Sequence, residues 1–527
     1  MTGNTMQTVI SHEPIVKLEN YFKDAFSNAV ATARSCYSSH VITAEEVSKD
    51  EKSRERRDAI AESIYKAGHH TTIQHATFQF ILDKVSRQFI WSFLHSHPFY
   101  NSEQVSQRYV HVGADNFTVP PLKGQALSIY LRSIGEQMQA YEKLMVILEP
   151  HVRRNYAKIF PNRDPELKKW KSVIQKRNQE VARYVLPVAT HAHLYHTVSG
   201  ITLHRYHRLS EQFDTPFEQR LVIQKMIDAV NEVDPLFFKH IEDVMPLEKT
   251  PEYAFFEQNQ LLHEIKNREI FLSEFDASLG DWTSRLVDYK VNGEKTMAEA
   301  VRCVLGVSSE ELEDEEAIDL VLNPAKNPLL SENLNLTSMG KLTRTLNHPC
   351  FTFQKKISHT ADSQDQRHRM TPGSRPVLHR HFVPSKPDFI TPALVTTSEE
   401  ALDFYKKTMK KIWTNITDLL NEGTSEEFAL YLLPNAFPIR FYESGDLLNH
   451  HHKWTKRLCY TAQEEIWSMC KDEVTQVKGK FPLLAKYLLP PCGIRNLAKT
   501  RPICPEGERF CGVAVWKLPV EEFERVI

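Results

Sequence analysis

Two short segments of the chain carry side chains that could do chemistry together. One is Ser102-Glu103-Gln104-Val105-Ser106-Gln107-Arg108-Tyr109; the other is Gln364-Asp365-Gln366-Arg367-His368-Arg369. In the first, a hydroxyl and a guanidinium stand two residues apart, so an extended backbone would put Ser106 and Arg108 on one side, a set suited to a phosphate. In the second, two permanent cations flank a titratable imidazole, and guanidinium forks grip phosphates and polarised carbonyl oxygens. A phosphate loop of the G-x-x-x-x-G-K-[ST] type does not occur.

The two segments fall at nearly equivalent places in a chain that repeats itself. Q-H-A-T-F-Q-F at 74–80 is answered by N-H-P-C-F-T-F at 347–353, and V-S-R at 85–87 by I-S-H at 357–359. A-R-Y-V-L-P at 182–187 is answered by A-L-Y-L-L-P at 429–434, and Glu218 and Glu465 each lie 31 residues beyond the last proline of their block. Four matches in one order indicate two diverged copies, 1–245 and 290–527, joined by an acidic, aromatic connector at 246–289. The Phe-, Thr- and Ile-rich blocks read as strands. Apolar spacing predicts helices over 125–150, 165–185, 217–242, 400–421 and 462–475. The expected fold class is therefore α+β, with a mixed or antiparallel sheet and long helices in each copy. Residues 306–335, acidic and then rich in Asn, Pro and Ser, read as a surface excursion.

Composition narrows the function classes. Over 527 residues, 65 basic and 67 acidic side chains leave a formal charge of -2, which disfavours a polynucleotide or membrane-surface binder. The expected setting is cytoplasmic: there is no apolar signal region at the start and no apolar run of the ~20 residues a spanning helix needs. The eight cysteines are mostly isolated and do not make a disulfide framework. Cys492, Cys504 and Cys511 in the tail lack the C-x-x-C spacing, so no metal is expected unless a fourth thiol such as Cys470 joins them around zinc.

G-H-H-T-T-I-Q-H-A-T-F-Q-F at 68–80, then V-S-R, then S-E-Q-V-S-Q-R-Y-V at 102–110 resembles the flavin-dependent thymidylate synthases, or thymidylate synthase complementing proteins. That family's motif runs R-H-R, seven residues, Ser, x-R-Y, with a glutamine three places before R-H-R. The second copy has Gln364 and Arg367-His368-Arg369, but Val377 at the serine position. The first has Ser106, Arg108 and Tyr109, but Ser96-His97-Pro98 where R-H-R belongs, and Gln104 where the family usually has glutamate. Downstream, the family carries an arginine eight residues before the glutamate of an A-Q-x-E-I helix. Arg457 and Glu465 match this, whereas the same spacing from Glu218 lands on Ser210. Each copy thus keeps one half of the motif.

The resemblance implies reductive methylation of dUMP to dTMP, with methylenetetrahydrofolate as carbon donor, NADPH as reductant and FAD as cofactor. It implies catalytic roles for Arg367, Arg457 and Gln364, and a dUMP site completed by Ser106, Arg108 and Gln104. His69, Thr71, Glu103, His368 and Arg369 would line the flavin. Because the family's sites are shared between subunits of a homotetramer, it also implies a composite site from the two fused copies and a homodimer mimicking that tetramer. The alternatives are a non-catalytic flavin- or nucleotide-binding paralog and a flavin-dependent transferase acting on another pyrimidine nucleotide.

Overall fold

The computed structural model describes residues 13–96, 99–212, 214–261, 264–525 and 527. It contains two four-stranded sheets, both fully antiparallel. The first comprises β1 (Ile15–Tyr21), β2 (Thr77–Ser86), β3 (Tyr100–Gln104) and β4 (His191–Ser199), in the order β1-β2-β4-β3. The second comprises β5 (Ser284–Tyr289), β6 (Cys350–Ser358), β7 (Gly373–Ser374) and β8 (Pro438–Asp446), in the order β5-β6-β8-β7. Identical strand order in two sheets is what a duplicated α+β domain produces. β5 lies within the stretch read from sequence as the connector.

Two compact units result, and neither is a contiguous half of the chain. One takes Met1–Met138, Leu186–Ile265 and Lys411–Leu433; the other takes Gln139–Val185, Lys266–Lys410 and Pro434–Ile527. In the first unit Phe78, Phe80 and Leu82 alternate inward along β2 and are fully buried, as period-two patterning requires. The helix Pro216–Asn231 covers that sheet with Val222, Ile223, Met226 and Val230. In the second unit the helix Glu464–Lys478 does the same with Ile466, Met469, Cys470, Val474 and Val477.

Each unit is tied by the same buried hydrogen-bond set. In the first, Glu218 accepts from the Ser86 N–H at 2.7 Å, the Ser86 hydroxyl at 2.6 Å and the Tyr431 hydroxyl at 2.6 Å. In the second, Glu465 accepts from the Ser358 N–H at 2.6 Å, from the Ser358 hydroxyl and from the Tyr184 hydroxyl. The serines also cap the following helices, Arg87–His95 and His359–Asp365. Burial pushes both carboxyls up, opposed by these donors, and both tyrosines stay neutral. Glu218→Ala or Glu465→Ala strands three donors in a dry core. Each should cost about 2–4 kcal/mol, read as a lower urea midpoint, while Tyr184→Phe should cost about 1 kcal/mol.

Two sequence expectations change, and one strand carries an irregularity. The helix expected over 217–242 ends at Asn231, because Pro235 disfavours helical backbone at Asp234, whose carboxylate instead accepts from the Phe26 N–H at 2.8 Å. Residues 306–335 are not merely a surface excursion: the helix Asp314–Leu322 buries Ala317, Ile318, Val321 and Leu322. Finally, β2 has an extra residue at Asp83–Lys84, where its pairing with β4 shifts register and Lys84 takes a φ of 57°, whereas β6 pairs β8 without a shift. That bulge is why the spacing between the copies drops by one residue before V-S-R.

Candidate active site

The second unit builds the R-H-R half on two helices. His359–Asp365 carries Gln364 and leads into a turn holding Arg367, His368 and Arg369; Leu447–Arg457 ends on Arg457. The structure joins three of the sequence-derived residues here by hydrogen bonds. Arg457 Nε–H donates to His368 Nε2 at 2.9 Å, and its terminal nitrogen donates to the Gln364 carbonyl at 2.8 Å. The Gln364 amide lies 3.4 Å from Gln463 Oε1, and Thr371 closes the turn with its N–H and hydroxyl on the His368 carbonyl at 3.1 and 2.9 Å. Because Arg457 donates to Nε2, His368 must be neutral with its proton on Nδ1. Burial, Arg457 and Lys453 hold its pKa well below the usual range, in agreement. Arg367 is exposed on this turn, and Arg369 is half-buried.

Beneath the turn lies a cluster of charges that the motif reading missed. Lys453 Nζ sits 2.7 Å from Asp365 and 2.6 Å from Glu443; Lys355 Nζ sits 2.5 Å from Glu443 and 2.7 Å from Glu473. All five side chains are at most 1% exposed. Trp454 and Ser284 add donors to Glu473 at 2.6 and 2.9 Å. The lysines hold the Asp365 carboxyl well down against the desolvation that opposes ionisation. Since Asp365 follows Gln364 and Lys453 is one turn before Arg457, the cluster clamps both site helices to β6 and β8. Gly445 on β8 permits this approach: a Cβ there would meet His450 at 2.8 Å and Thr371 at 3.0 Å. One sequence signal was available, a lysine at an inward position between Phe353 and Ile357 on β6.

The first unit carries the S-x-R-Y half at the end of β3. The segment is not extended beyond Val105, contrary to the sequence expectation. Ser106–Tyr109 forms a turn, closed by the Tyr109 and Val110 N–H groups on the Ser106 carbonyl at 3.1 and 3.0 Å. The reason is Gln107, buried and donating to Thr190 at 2.9 Å, which pulls the backbone round. Ser106 and Arg108 still share the turn, with the Arg108 N–H on Ser106 Oγ at 3.2 Å and its guanidinium over the Tyr109 ring. Buried Arg87 donates to Gln104 at 3.0 Å and to the Val105 carbonyl at 2.7 Å, fixing the strand end. Glu103 is exposed on β3. His69 and Thr71 lie on another segment, exposed at the start of the short helix His70–His75; His70 is the structural member, with Nε2 3.3 Å from the Tyr65 carbonyl.

Aligned on the capping serines, Arg367, His368 and Arg369 correspond to His95, Ser96 and His97, one place before the alignment read from sequence; His97 and Pro98 lie outside the described residues. It also sets Asp365 against Phe93; the strand pairing (Phe353–Glu443 against Phe80–His196) sets Lys355 and Glu443 against Leu82 and His196, and the proline blocks set Lys453 and Glu473 against Tyr206 and Met226. In the first unit these are buried and largely apolar, with Tyr206 Oη 3.3 Å from His196 Nε2 and Phe93 packed at a tilt against both rings. The first unit has lost the platform along with the R-H-R turn.

The donor sets fit an anionic nucleotide and a flavin: cationic forks and a neutral imidazole on one half, a hydroxyl and a guanidinium on the other. No helix among the described residues is long and apolar enough to cross a membrane.

Comparison with known proteins gives this geometry a family. The chain is 26% identical over 228 residues to a flavin-dependent thymidylate synthase of Clostridium tetani, covering 43% of this chain and 85% of that protein. It is 25% identical over 233 residues to one from Nitratidesulfovibrio vulgaris, covering 43% and 86%. It is 30% identical over 162 residues to one from Sulfurisphaera tokodaii, covering 30% and 62%. The profile described as Thymidylate synthase complementing protein matches residues 17–236 and again residues 285–483. Matched twice by one profile over most of its length, the chain belongs to the thymidylate synthase complementing protein family and holds two copies of its domain.

Proposed function

We propose that this protein is an FAD-dependent thymidylate synthase. It converts dUMP to dTMP with methylenetetrahydrofolate as carbon donor and NADPH as reductant, in a site that joins one S-x-R-Y half to one R-H-R half. The chain works as a homodimer that presents four family domains. The observation that carries this reading is the sorting of losses. The R-H-R half is intact and braced by Arg457 and the buried charges in the second copy, while the S-x-R-Y turn is intact in the first. Decay of a dead enzyme would not keep one complementary half in each copy.

Ser106 and Arg108 hold the 5′-phosphate, with Gln104 beside them. Gln364 reads the uracil edge. As carbon bonds to C5 of the uracil, negative charge develops on the ring carbonyl oxygens, and Arg367 and Arg457 stabilise it. Neutral His368 keeps Arg457 aimed by accepting its Nε–H, so its own protonation would release that arm. With Arg369, His69, Thr71 and Glu103 it lines the flavin, which when bound supplies the hydride that completes the methyl group.

The test is direct. Purified, FAD-loaded protein supplied with dUMP, methylenetetrahydrofolate and NADPH under low oxygen should form dTMP and leave tetrahydrofolate. Bound flavin without dTMP would overturn the reading in favour of a non-catalytic paralog or another pyrimidine substrate.

A further inference from the structure

Half of the chain's cysteines converge where the C-terminal tail folds back on the second unit. Cys459, Cys492, Cys504 and Cys511 line a single small cavity with Tyr460 and Phe510. They come from the end of the helix Leu447–Arg457, the helix Pro491–Leu497 and two tail loops, and none is in a disulfide. Cys470, the fourth ligand considered from sequence, is not among them: it is buried in the core beside Glu473. Cys459 takes its place, a residue too distant in sequence for spacing to nominate.

We propose that Cys459, Cys492, Cys504 and Cys511 bind one zinc ion that staples the tail to the second unit. Four thiols around one cavity are the ligand count and type of a structural zinc site. Their loops are shaped for it. Cys492 and Cys511 are each followed by glycine and Cys504 by proline. Gly512 takes a φ of 86° and packs where a Cβ would collide with Ile159, which pins the Cys511 loop against the body of the unit.

Burial first, then the neighbouring cysteines, pushes Cys492 up to about 12, and burial also raises Cys459 and Cys511. These are protonated, unreactive thiols rather than the low-pKa thiolates of a redox sensor. A divalent cation reverses that balance: each S–H gives its proton to solvent as its sulfur bonds the metal, and no redox change is needed. Among the described residues no three His, Cys, Asp or Glu side chains are already gathered closely enough to hold a metal ion, so the cysteine-bearing segments must close around the ion on binding.

The full chain, purified without chelator, should carry about one zinc per chain by elemental analysis. Replacement by cobalt(II) should give thiolate-to-cobalt charge-transfer bands and the visible bands of a tetrahedral site. C459S and C492S should lose the metal, and C470S should keep it. Chain without zinc that yields no thiolate-to-cobalt bands overturns the proposal, as does metal retained by the double variant C459S/C492S. Should the serine variants fail to fold, the cobalt spectrum of the unaltered chain decides alone. None of these readouts depends on thymidylate synthesis.

Discussion

On the proposed function, alanine at Arg367 should lower kcat for dTMP formation by about 10²–10³-fold in the flavin-loaded protein, with little change in the dUMP concentration needed for half-saturation. This is the loss expected when one preorganised donor to a developing oxyanion is removed, because that donor acts more strongly in the transition state than on the bound nucleotide. Alanine at Arg108 gives a similar loss in kcat/KM through a different parameter. A phosphate contact made equally in the ground and transition states appears in KM, so high dUMP should recover part of the R108A rate. The two residues lie in different copies, so each single substitution tests whether its copy contributes to the same turnover. Near-normal rates in both variants would sink the composite site, provided flavin absorbance shows that each still binds its cofactor. Arg457→Ala should combine both defects, since its side chain also anchors His368 and the Gln364 carbonyl.

Breaking the buried charge cluster should produce the largest loss of stability. Lys453→Ala removes the cation that bridges Asp365 and Glu443 in a dry interior, leaving Lys355 as their remaining lysine, and should cost about 3–5 kcal/mol in the second unit. Urea or thermal unfolding of the full chain would measure it. The cluster is not required for folding as such, because the first unit fills the matching positions with Leu82, Phe93, His196, Tyr206 and Met226. Replacing all five charges by those residues should therefore recover most of the stability that K453A loses, as well-packed neutral side chains commonly do for a buried ion network. The same fivefold variant should stay nearly inactive, because Asp365 and Lys453 hold the helices bearing Gln364 and Arg457. Stability and turnover would then separate, which marks the cluster as a positioning device. Activity that returned along with stability would refute that role.

What sequence revealed was what is local. The S-x-R-Y and R-H-R segments, the V-S-R and I-S-H blocks and the glutamates 31 residues past each proline block are all written in short stretches. The strands β2 and β6 and the helices Gly124–Ile159, Glu399–Asn421 and Glu464–Lys478 followed from periodicity. The charge cluster did not, since its five members come from β6, β8 and three helices and no linear spacing joins them. The bulge at Asp83–Lys84 was hidden for another reason: no glycine marks it, and only a one-residue drop in repeat spacing betrays it. The turn at Ser106 depends on Gln107 finding Thr190, a partner 83 residues away. Cys459 escaped notice similarly, since the tail that brings the other three thiols to it begins about thirty residues later in the chain.

The make-up of the two compact units has an evolutionary side. Residues 411–433 of the later copy belong to the first unit, and residues 139–185 of the earlier copy belong to the second; Tyr431 and Tyr184 travel with them to complete the hydrogen-bond sets on Glu218 and Glu465. A gene cut at the connector would yield two products, each missing a piece its own core depends on. The exchange makes the fusion hard to undo, since with these pieces traded neither copy expressed alone would carry a complete core.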